Sequence, residues 1–248
     1  MTYKDLVRRF ITVHKCVGCG EILDYECSDA AFCDKCRASW NWALNASCDV
    51  CLQPARECAC ITPKLKASGA LVHRKLFIYK KESAELPQNR LIYVMKRKKH
   101  KRLSSFCADQ LLPMIMEELD VLAIEPSDAV VTFVPRGRRS ERKYGFDHAA
   151  MLASSVSLVL GAEYQPLLST RLFSGVQKKL DRSGREQNAI HSIRIRDEAS
   201  LGGRYVILVD DIVTTGASMA ACVRLLMKHG AKGVLCFSVA SNNKARKM

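Results

Sequence analysis

The sequence predicts an α/β protein in which a mostly parallel sheet is flanked by helices and preceded by a small cysteine-rich module. Apolar runs typical of buried parallel strands lie at residues 129–134, 205–209 and 234–240, and helical stretches separate them. This alternation implies parallel strands joined by right-handed crossovers. Nine of the 12 cysteines lie between Cys16 and Cys60, which distinguishes the amino-terminal module from the rest of the chain.

The cysteine-rich module is predicted to span residues 1–62 and the α/β domain residues 63–248, with the boundary at Pro63. A fold as short as the module rarely holds together without a metal or disulfides. The other predicted elements are a strand or hairpin within Ala67–Lys80, a helix containing Leu91–Met95, a helix over Leu103–Leu119, a helix around His148–Leu160, and a helix from Thr215 to about His229.

The composition limits the class of protein. Hydrophobic residues make up 48% of the chain, but apolar runs such as Met151–Leu160 are shorter than the roughly 18 residues of a spanning helix. Met1–Lys15 lacks the long apolar stretch of a signal peptide, so a cytoplasmic protein with no membrane span is expected. The formal charge of +14 favours an anionic partner, either the phosphates of a small ligand or a nucleic-acid backbone.

The clustered cysteines are interpreted as two structural zinc sites, because paired thiols in a chain without a secretory signal indicate metal ligands. The first set is Cys16, Cys19, Cys33 and Cys36, and the second is Cys48, Cys51, Cys58 and Cys60. The second set has a tighter Cys-x-Cys spacing, so one or two ions are expected, and the spare Cys27 could substitute in the first site. Four-thiolate sites leave no open position, which makes them structural. Cys107, Cys222 and Cys236 are predicted to be core residues.

A phosphate-binding turn is predicted where the apolar strand at residues 205–209 ends in two adjacent carboxylates, Asp210 and Asp211. The turn that follows enters a helix and consists of Thr214, Thr215, Gly216, Ala217 and Ser218. A helix amino terminus offers free N–H groups and a positive dipole end, which suit a phosphate. Helix capping by Thr and Ser is the alternative. Two side-by-side carboxylates need cations or hydroxyl donors, which favours a ligand site.

Two polar segments complete the candidate site. Pro135, Arg136 and Gly137 follow the strand at residues 129–134, and further arginines come after them. Arginine forks match phosphate oxygens, although an exposed turn would have a similar composition. The charged segment Gln177–Asn188 is too polar for a core and could be a solvated loop.

Residues 206–218 closely resemble the PRPP-binding motif of the type I phosphoribosyltransferases, where PRPP is 5-phosphoribosyl-1-pyrophosphate. Together with the other motifs, in the same order along nearly the whole chain, they resemble the ComF family of competence proteins. The resemblance implies a type I phosphoribosyltransferase fold. It implies that Asp210 and Asp211 hold the ribose hydroxyls and that residues 214–218 cradle the 5-phosphate.

The same resemblance implies roles for three other segments. Val134–Gly137 would be the pyrophosphate loop, Lys96 the helical lysine, and the segment containing Arg185 a loop that closes over PRPP, with Mg²⁺ arriving with the substrate. One departure concerns Tyr144–His148, where the family usually has Arg-Gly-Phe-Asn-Gln. The chain thus lacks one arginine and two amides at this place, which affects base or partner specificity more than PRPP binding.

Three functions follow as expectations. The first is transfer of phosphoribosyl to an amine or nucleobase with release of pyrophosphate. The second is PRPP sensing without turnover. The third, suggested by the family, is a part in DNA uptake or recombination, with single-stranded DNA or competence proteins as partners. The basic run Lys96–Arg102 could follow a nucleic-acid backbone or be a solvated helix end. Trp40 and Trp42 could stack on bases or pack the module against its neighbour.

Overall fold

The computed structural model describes residues 14–23, 30–80, 83, 85–136, 143–170, 193–196 and 201–242. The helices are α1 (Asp34–Asn45), α2 (Pro63–Lys66), α3 (Pro87–Arg97), α4 (Lys101–Val121), α5 (His148–Leu160) and α6 (Ala217–Lys228). The strands are β1 (Val72–Ile78), β2 (Ala129–Phe133), β3 (Glu163–Tyr164), β4 (Leu168–Thr170), β5 (Ile193–Ile195), β6 (Tyr205–Val213) and β7 (Gly233–Ser241). Within these ranges, every helix is too short or too polar to cross a bilayer.

The main sheet has five parallel strands in the order β1-β7-β6-β2-β3, and the predicted α/β class is confirmed. β4 and β5 form a separate antiparallel pair. The central strand β6 is longer than its apolar run predicts. It continues through both aspartates because Asp210, Ile212 and Val213 pair with Ser238, Ala240 and Ser241 of β7. Asp210 and Asp211 therefore belong to the paired part of β6 and do not follow it.

Helices cover both faces of the sheet and bury two cores. One core lies under α4 and α5 and includes Leu111, Leu152 and Ile207, all fully buried. The other lies under α6 and includes Val206 and Met219. Alternate residues of β6 thus face opposite cores, as expected for a strand covered on both sides. Cys107, Cys222 and Cys236 are fully buried, as predicted.

The cysteine-rich module packs directly on the sheet. Trp40 of α1 is 2% exposed and contacts Phe77 of β1 and Phe106 of α4, with ring centroids 5.6 and 5.4 Å apart. Trp42 is 65% exposed, so only one of the two tryptophans packs the module against its neighbour. The boundary at Pro63, which begins α2, stays a prediction.

The basic run Lys96–Arg102 does not form a single helix end. Lys96 and Arg97 end α3, and α4 begins at Lys101 after a break at Lys98–His100. Arg102 donates a hydrogen bond to the carbonyl of Lys15, 3.1 Å away. Lys96 lies 3.0 Å from Asp211 of β6, whereas Lys98, Lys99 and Lys101 are exposed. The run therefore contains the partly buried Lys96 and an outward cationic patch that consists of Lys98, Lys99 and Lys101.

Candidate functional site

Asp211 stands at the centre of a polar cluster near the carboxyl-terminal end of β6. Its side chain is only 5% exposed, and its Oδ2 atom lies 3.0 Å from Lys96 Nζ and 2.8 Å from His148 Nε2. Lys96 is in the last turn of α3, and His148 is the first residue of α5. Two helices and the central strand therefore converge on one carboxylate.

Arg136 joins this cluster from the end of β2. Its Nη1 atom is 3.1 Å from both the carbonyl of Lys96 and Nδ1 of His148. Because a guanidinium can only donate, His148 Nδ1 must accept, and the neutral imidazole then carries its proton on Nε2. Nε2 lies 2.8 Å from Asp211 Oδ2, a close contact whose angle does not meet that of a hydrogen bond. The geometry thus assigns the tautomer of His148 as well as its orientation.

Asp147 holds the end of β2 and the start of α5 together. Its carboxylate accepts from the backbone N–H of Arg136 at 2.9 Å and from the N–H groups of Ala149 and Ala150 at 2.9 and 3.4 Å. It is therefore an N-cap, and an acidic cap also complements the helix dipole. Residues 144–148 depart from the family pattern. At its last two positions, where the family usually has the amide side chains Asn and Gln, this chain has the N-cap Asp147 and the buried His148.

The two aspartates have opposite electrostatic environments. Burial raises the pKa of Asp211, but the ammonium of Lys96 and the nearby imidazole of His148 outweigh it and hold that pKa well below its usual range. Burial and the charge of Asp211 raise the pKa of Asp210 well above its usual range, and Lys96 offsets only part of this. Asp210 also accepts from the N–H of Asp211 at 2.8 Å. The pair therefore favours one negative charge, located on Asp211.

This asymmetry predicts a pH effect on the ligand-free protein. Because the folded-state pKa of Asp210 is raised, its contribution to stability is present below about pH 4 and is lost as pH rises through the folded pKa. The unfolding temperature of Asp210→Asn should therefore fall less than that of the wild type between about pH 5 and pH 8. Asp128→Asn, which removes an exposed carboxylate before β2, is the control. Parallel curves for the wild type and Asp210→Asn would contradict the assignment.

The predicted phosphate turn connects β6 to α6. Gly216 is the N-cap of α6 and has a φ of +74°, in the left-handed region that favours glycine. Thr214 and Thr215 are exposed, whereas Ala217 is buried. Thr215 Oγ1 accepts a long hydrogen bond from Ala217 N at 3.4 Å, so the capping alternative is partly realised. The turn nevertheless presents two exposed hydroxyls beside a helix amino terminus, which is an arrangement that suits an anion.

The sequence-predicted residues come together only in part. Lys96, Arg136 and Asp211 lie in one cluster, beside the turn of residues 214–218. Pro135 and Arg136 also line a cleft of about 470 Å³ together with Tyr164, Thr170 and Arg196. Gly137 and Arg185, with the rest of the segment Gln177–Asn188, lie outside the described residues, as does Cys27. His148 belongs to the cluster but was not among the residues predicted from the sequence.

The eight predicted metal ligands form two compact groups. In each group the four sulfur atoms lie within 4.8 Å of one another, and the groups are Cys16, Cys19, Cys33 and Cys36, and Cys48, Cys51, Cys58 and Cys60. A tetrahedral ion with metal–sulfur bonds of about 2.3 Å separates its sulfurs by about 3.8 Å. Cys19 and Cys33 are 3.6 Å apart at their sulfurs, and Cys51 and Cys58 are 3.4 Å apart. Both donor sets therefore fit a metal ion.

Each group is also bound to the α/β domain. Arg90 of α3 donates to the carbonyl of Gly18 at 2.8 Å, which ties the first cysteine pair to the helix that carries Lys96. A Cβ at Gly18 would lie 2.6 Å from Cys36 Sγ, so only glycine fits between these ligands. In the second group, the fully buried Lys75 of β1 donates to the sulfur and the carbonyl of Cys58 at 2.8 and 2.9 Å.

Comparison with known proteins agrees with this geometry. Residues 147–248 match the family model described as "Phosphoribosyl transferase domain". The DNA utilization protein YhgH of Escherichia coli (strain K12) is 27% identical over 149 residues, which are 60% of this chain and 64% of that protein. A ribose-phosphate pyrophosphokinase of Sulfurisphaera tokodaii is 37% identical over 71 residues, or 28% of this chain and 22% of that protein.

Among solved structures, a hypoxanthine phosphoribosyltransferase from Staphylococcus aureus is similar with a TM-score of 0.39 at 12% identity, covering 63% of this chain and 74% of that one. An adenine phosphoribosyltransferase has a TM-score of 0.36 at 20% identity, covering 55% and 70%. The matched phosphoribosyl transferase domain at residues 147–248, with the five-stranded parallel sheet, agrees with the predicted type I phosphoribosyltransferase fold, and the similarity to the DNA utilization proteins YhgH confirms the resemblance to the ComF family.

Proposed function

We propose that the chain binds PRPP with Mg²⁺ at the carboxyl-terminal end of β6 and transfers its phosphoribosyl group to an amine or nucleobase, releasing pyrophosphate. The observation that carries this proposal is the carboxylate of Asp211, held by Lys96 and His148 directly before a glycine-capped helix. Ligands of open α/β sheets bind at the carboxyl ends of the strands, and this cluster lies there. The matched phosphoribosyl transferase domain, residues 147–248, covers His148, Asp211 and the glycine-capped helix, whereas Lys96 precedes it.

Each part of the site has a role in this proposal. Asp210 and Asp211 accept hydrogen bonds from the ribose 2- and 3-hydroxyls, and the turn of residues 214–218 donates to the 5-phosphate. Pro135, Arg136 and Gly137 surround the pyrophosphate, with Lys96 and Arg185 as further cationic groups. Mg²⁺ bound with PRPP would supply positive charge that offsets the charge of the pyrophosphate.

The reaction is a nucleophilic displacement at ribose C1. The bond from C1 to the pyrophosphate oxygen breaks, a bond from the acceptor nitrogen to C1 forms, and the nitrogen loses a proton. Positive charge develops on the sugar ring during this step. In this proposal the carboxylate of Asp211, which its neighbours keep ionised, stabilises that charge. Lys96 and His148 hold the carboxylate in place, and Arg136 contacts both of them, which reduces reorganisation during the reaction.

Incubation of the pure protein with labelled PRPP, Mg²⁺ and a panel of nucleobases and amines tests this function. Release of pyrophosphate that depends on one acceptor supports the transferase. Binding of PRPP without release supports the sensing function. If calorimetry detects no PRPP binding, both forms of the proposal are wrong.

The metal in the cysteine groups is proposed to be zinc, in a structural role. All-thiolate donor sets with four ligands are typical of structural zinc, and they leave no coordination position for substrate. Clustered free thiols also persist in a reducing compartment, so a cytoplasmic location belongs to the same proposal.

A second candidate function, binding of single-stranded DNA in DNA uptake or recombination, rests on the outward cationic patch of Lys98, Lys99 and Lys101. All three are exposed at the break between α3 and α4. Beside them the guanidinium of Arg97 lies 4.0 Å from the ring centroid of Tyr93, which is 54% exposed. Lysines that follow a backbone and an aromatic–arginine pair on which a base can stack are features of single-strand sites. The name of the YhgH relatives, DNA utilization protein, also refers to DNA.

Replacement of Lys98, Lys99 and Lys101 by alanine is expected to weaken single-strand binding at least tenfold at low salt. Three lost phosphate contacts should also reduce the slope of log affinity against log salt by about 2. Arg102 is left unchanged because it donates to Lys15. The matched control removes the same charge at the exposed Lys35, Lys66 and Lys228, and should retain most of the affinity. Fluorescence titration of a labelled strand measures both. Equal losses in the two triple variants would exclude this patch as the site.

A further inference from the structure

The phosphate turn has an unexpected neighbour in Thr62, the last residue before Pro63. A Cβ placed on Gly216 would lie 2.4 Å from Thr62 Oγ1 and 3.5 Å from Thr62 Cβ. Real Cβ atoms essentially never approach so closely, so the hydroxyl of Thr62 touches the position at which α6 begins. Glycine is therefore required at position 216 for two reasons: its φ is +74°, and Thr62 occupies the space that a Cβ would fill.

The hydroxyl of Thr62 is buried and makes no hydrogen bond to any group in the described part of the chain. Its position suggests an ordinary explanation, since Thr62 is the N-cap residue of α2, and threonine often caps helices. That explanation fails because its side chain makes no capping hydrogen bond. A buried hydroxyl without a partner costs about 1–3 kcal/mol, so a partner that the described residues of the ligand-free protein do not supply is expected for it.

Thr62 is held where it is by its chain neighbours. Leu65, in the same turn of α2, is fully buried in the core under α6, and its Cβ lies 3.7 Å from the Cβ position of Gly216. On the other side, Cys60 is two residues away and its carbonyl accepts from the buried Lys75 at 3.4 Å. Thr62 is therefore a rigid link between the second cysteine group and the phosphate turn.

We propose that Thr62 is a phosphate-binding residue, and that its hydroxyl donates a hydrogen bond to the 5-phosphate held by the turn of residues 214–218. This inference rests on the proposed function, because it assigns one more donor to that site. Thr62 precedes α2 and lies outside the turn of residues 214–218. The cysteine-rich module thus contributes to ligand binding as well as to stability.

Calorimetry with three ligands tests the proposal. Thr62→Val keeps the shape of the side chain but removes the hydroxyl, and is expected to weaken ribose 5-phosphate and PRPP about tenfold or more, as for loss of a hydrogen bond to a charged group. Pyrophosphate lacks the 5-phosphate, so its affinity should stay the same. Thr62→Ser retains the hydroxyl and should recover most of the affinity.

A matched control lies three residues beyond Leu65. Ser68 is also buried, but its hydroxyl donates to the carbonyl of Leu65 at 2.6 Å. Ser68→Ala should lower the unfolding temperature while leaving the affinity for ribose 5-phosphate unchanged. Comparison of the two variants separates a phosphate contact from general damage to α2.

The outcomes separate this inference from the proposed function. If the wild type binds PRPP and Thr62→Val binds it equally well, Thr62 is not a phosphate ligand, whereas the proposed function stands. An equal loss in Thr62→Ser and Thr62→Val would also overturn the role of the hydroxyl. If the wild type binds ribose 5-phosphate in a Thr62-dependent manner but not PRPP, the phosphate contact is supported and the proposed function fails. Absence of binding for all three ligands would overturn both.

Discussion

Replacement of Asp210 and Asp211 together by asparagine is expected to weaken PRPP binding in the presence of Mg²⁺ by a hundredfold or more. Each aspartate bonds a ribose hydroxyl in the proposed complex; the hydrogen bond to the charged Asp211 is worth about 1.5–3 kcal/mol, and the bond to Asp210 adds about 0.5–1.5 kcal/mol. The loss also releases Lys96 from Asp211, 3.0 Å away, so that the ammonium no longer has a fixed position. Calorimetry with PRPP measures the effect directly.

Pyrophosphate alone provides the internal control for this double variant. It has no ribose hydroxyls, so its affinity should be unchanged or higher after two carboxyl groups are removed from the neighbourhood of Arg136 and Lys96. Asp128→Asn, at the opposite end of β2, should bind PRPP like the wild type. Equal PRPP affinity in the double variant and the wild type would refute the assignment of the aspartates to ribose binding.

The single variants should differ because the structure gives the two acids different partners. Asp211 is the ionised member, and Asp211→Asn removes the group on which Lys96 and His148 converge. Asp210 holds its proton more strongly in the free protein, so Asp210→Asn resembles the state already present before ligand binds. We therefore expect Asp211→Asn to perturb the ligand-free site more than Asp210→Asn does.

Much of the fold could be predicted because local patterns determine it. The continuous apolar runs of β2, β6 and β7 follow from burial on both faces of a parallel sheet, and Gly216 marks a turn that needs a positive φ. The short β3, β4 and β5 have two or three residues each, which is too few for a periodic signal. Their pairing depends on contacts with distant segments.

The missed residues share a physical reason. His148 and Asp211 are 63 positions apart, and only the packing of α5 against β6 brings them within 2.8 Å. Thr62 reaches Gly216 across an even longer separation. Lys75 is fully buried, where composition alone would place a lysine at the surface. Residue type and spacing can suggest which groups are reactive, but not which distant groups they meet.

Removal of the metal is the second change with a large expected effect. Structural zinc contributes on the order of 10 kcal/mol to folding, so a strong chelator should lower the unfolding temperature by more than about 10 °C. Metal analysis of untagged protein should give about two zinc ions per chain. Cys19→Ser and Cys60→Ser should each leave about one ion, and Cys107→Ala, which alters a buried thiol outside both groups, should leave two.

Different metal counts would contradict different parts of this prediction. A single ion in the wild type, retained in Cys60→Ser, would show that the group of Cys48, Cys51, Cys58 and Cys60 holds no metal. Absence of any ion would refute both sites. Of the two cysteine variants, Cys60→Ser should lose more PRPP affinity, because Thr62 follows two residues later and touches Gly216.

Lys75 provides a separate test of metal binding by the group of Cys48, Cys51, Cys58 and Cys60. A zinc ion with four thiolates carries a net charge of about −2, and a buried ammonium 2.8 Å from Cys58 Sγ partly neutralises it. Without the metal, the four protonated thiols leave that ammonium buried without a counter-charge, which costs several kcal/mol. Lys75→Met should therefore weaken metal retention against a chelator and, in the metal-free protein, raise the unfolding temperature. Destabilisation of both forms to the same extent would mean that Lys75 serves only packing, and that no metal charge is balanced there.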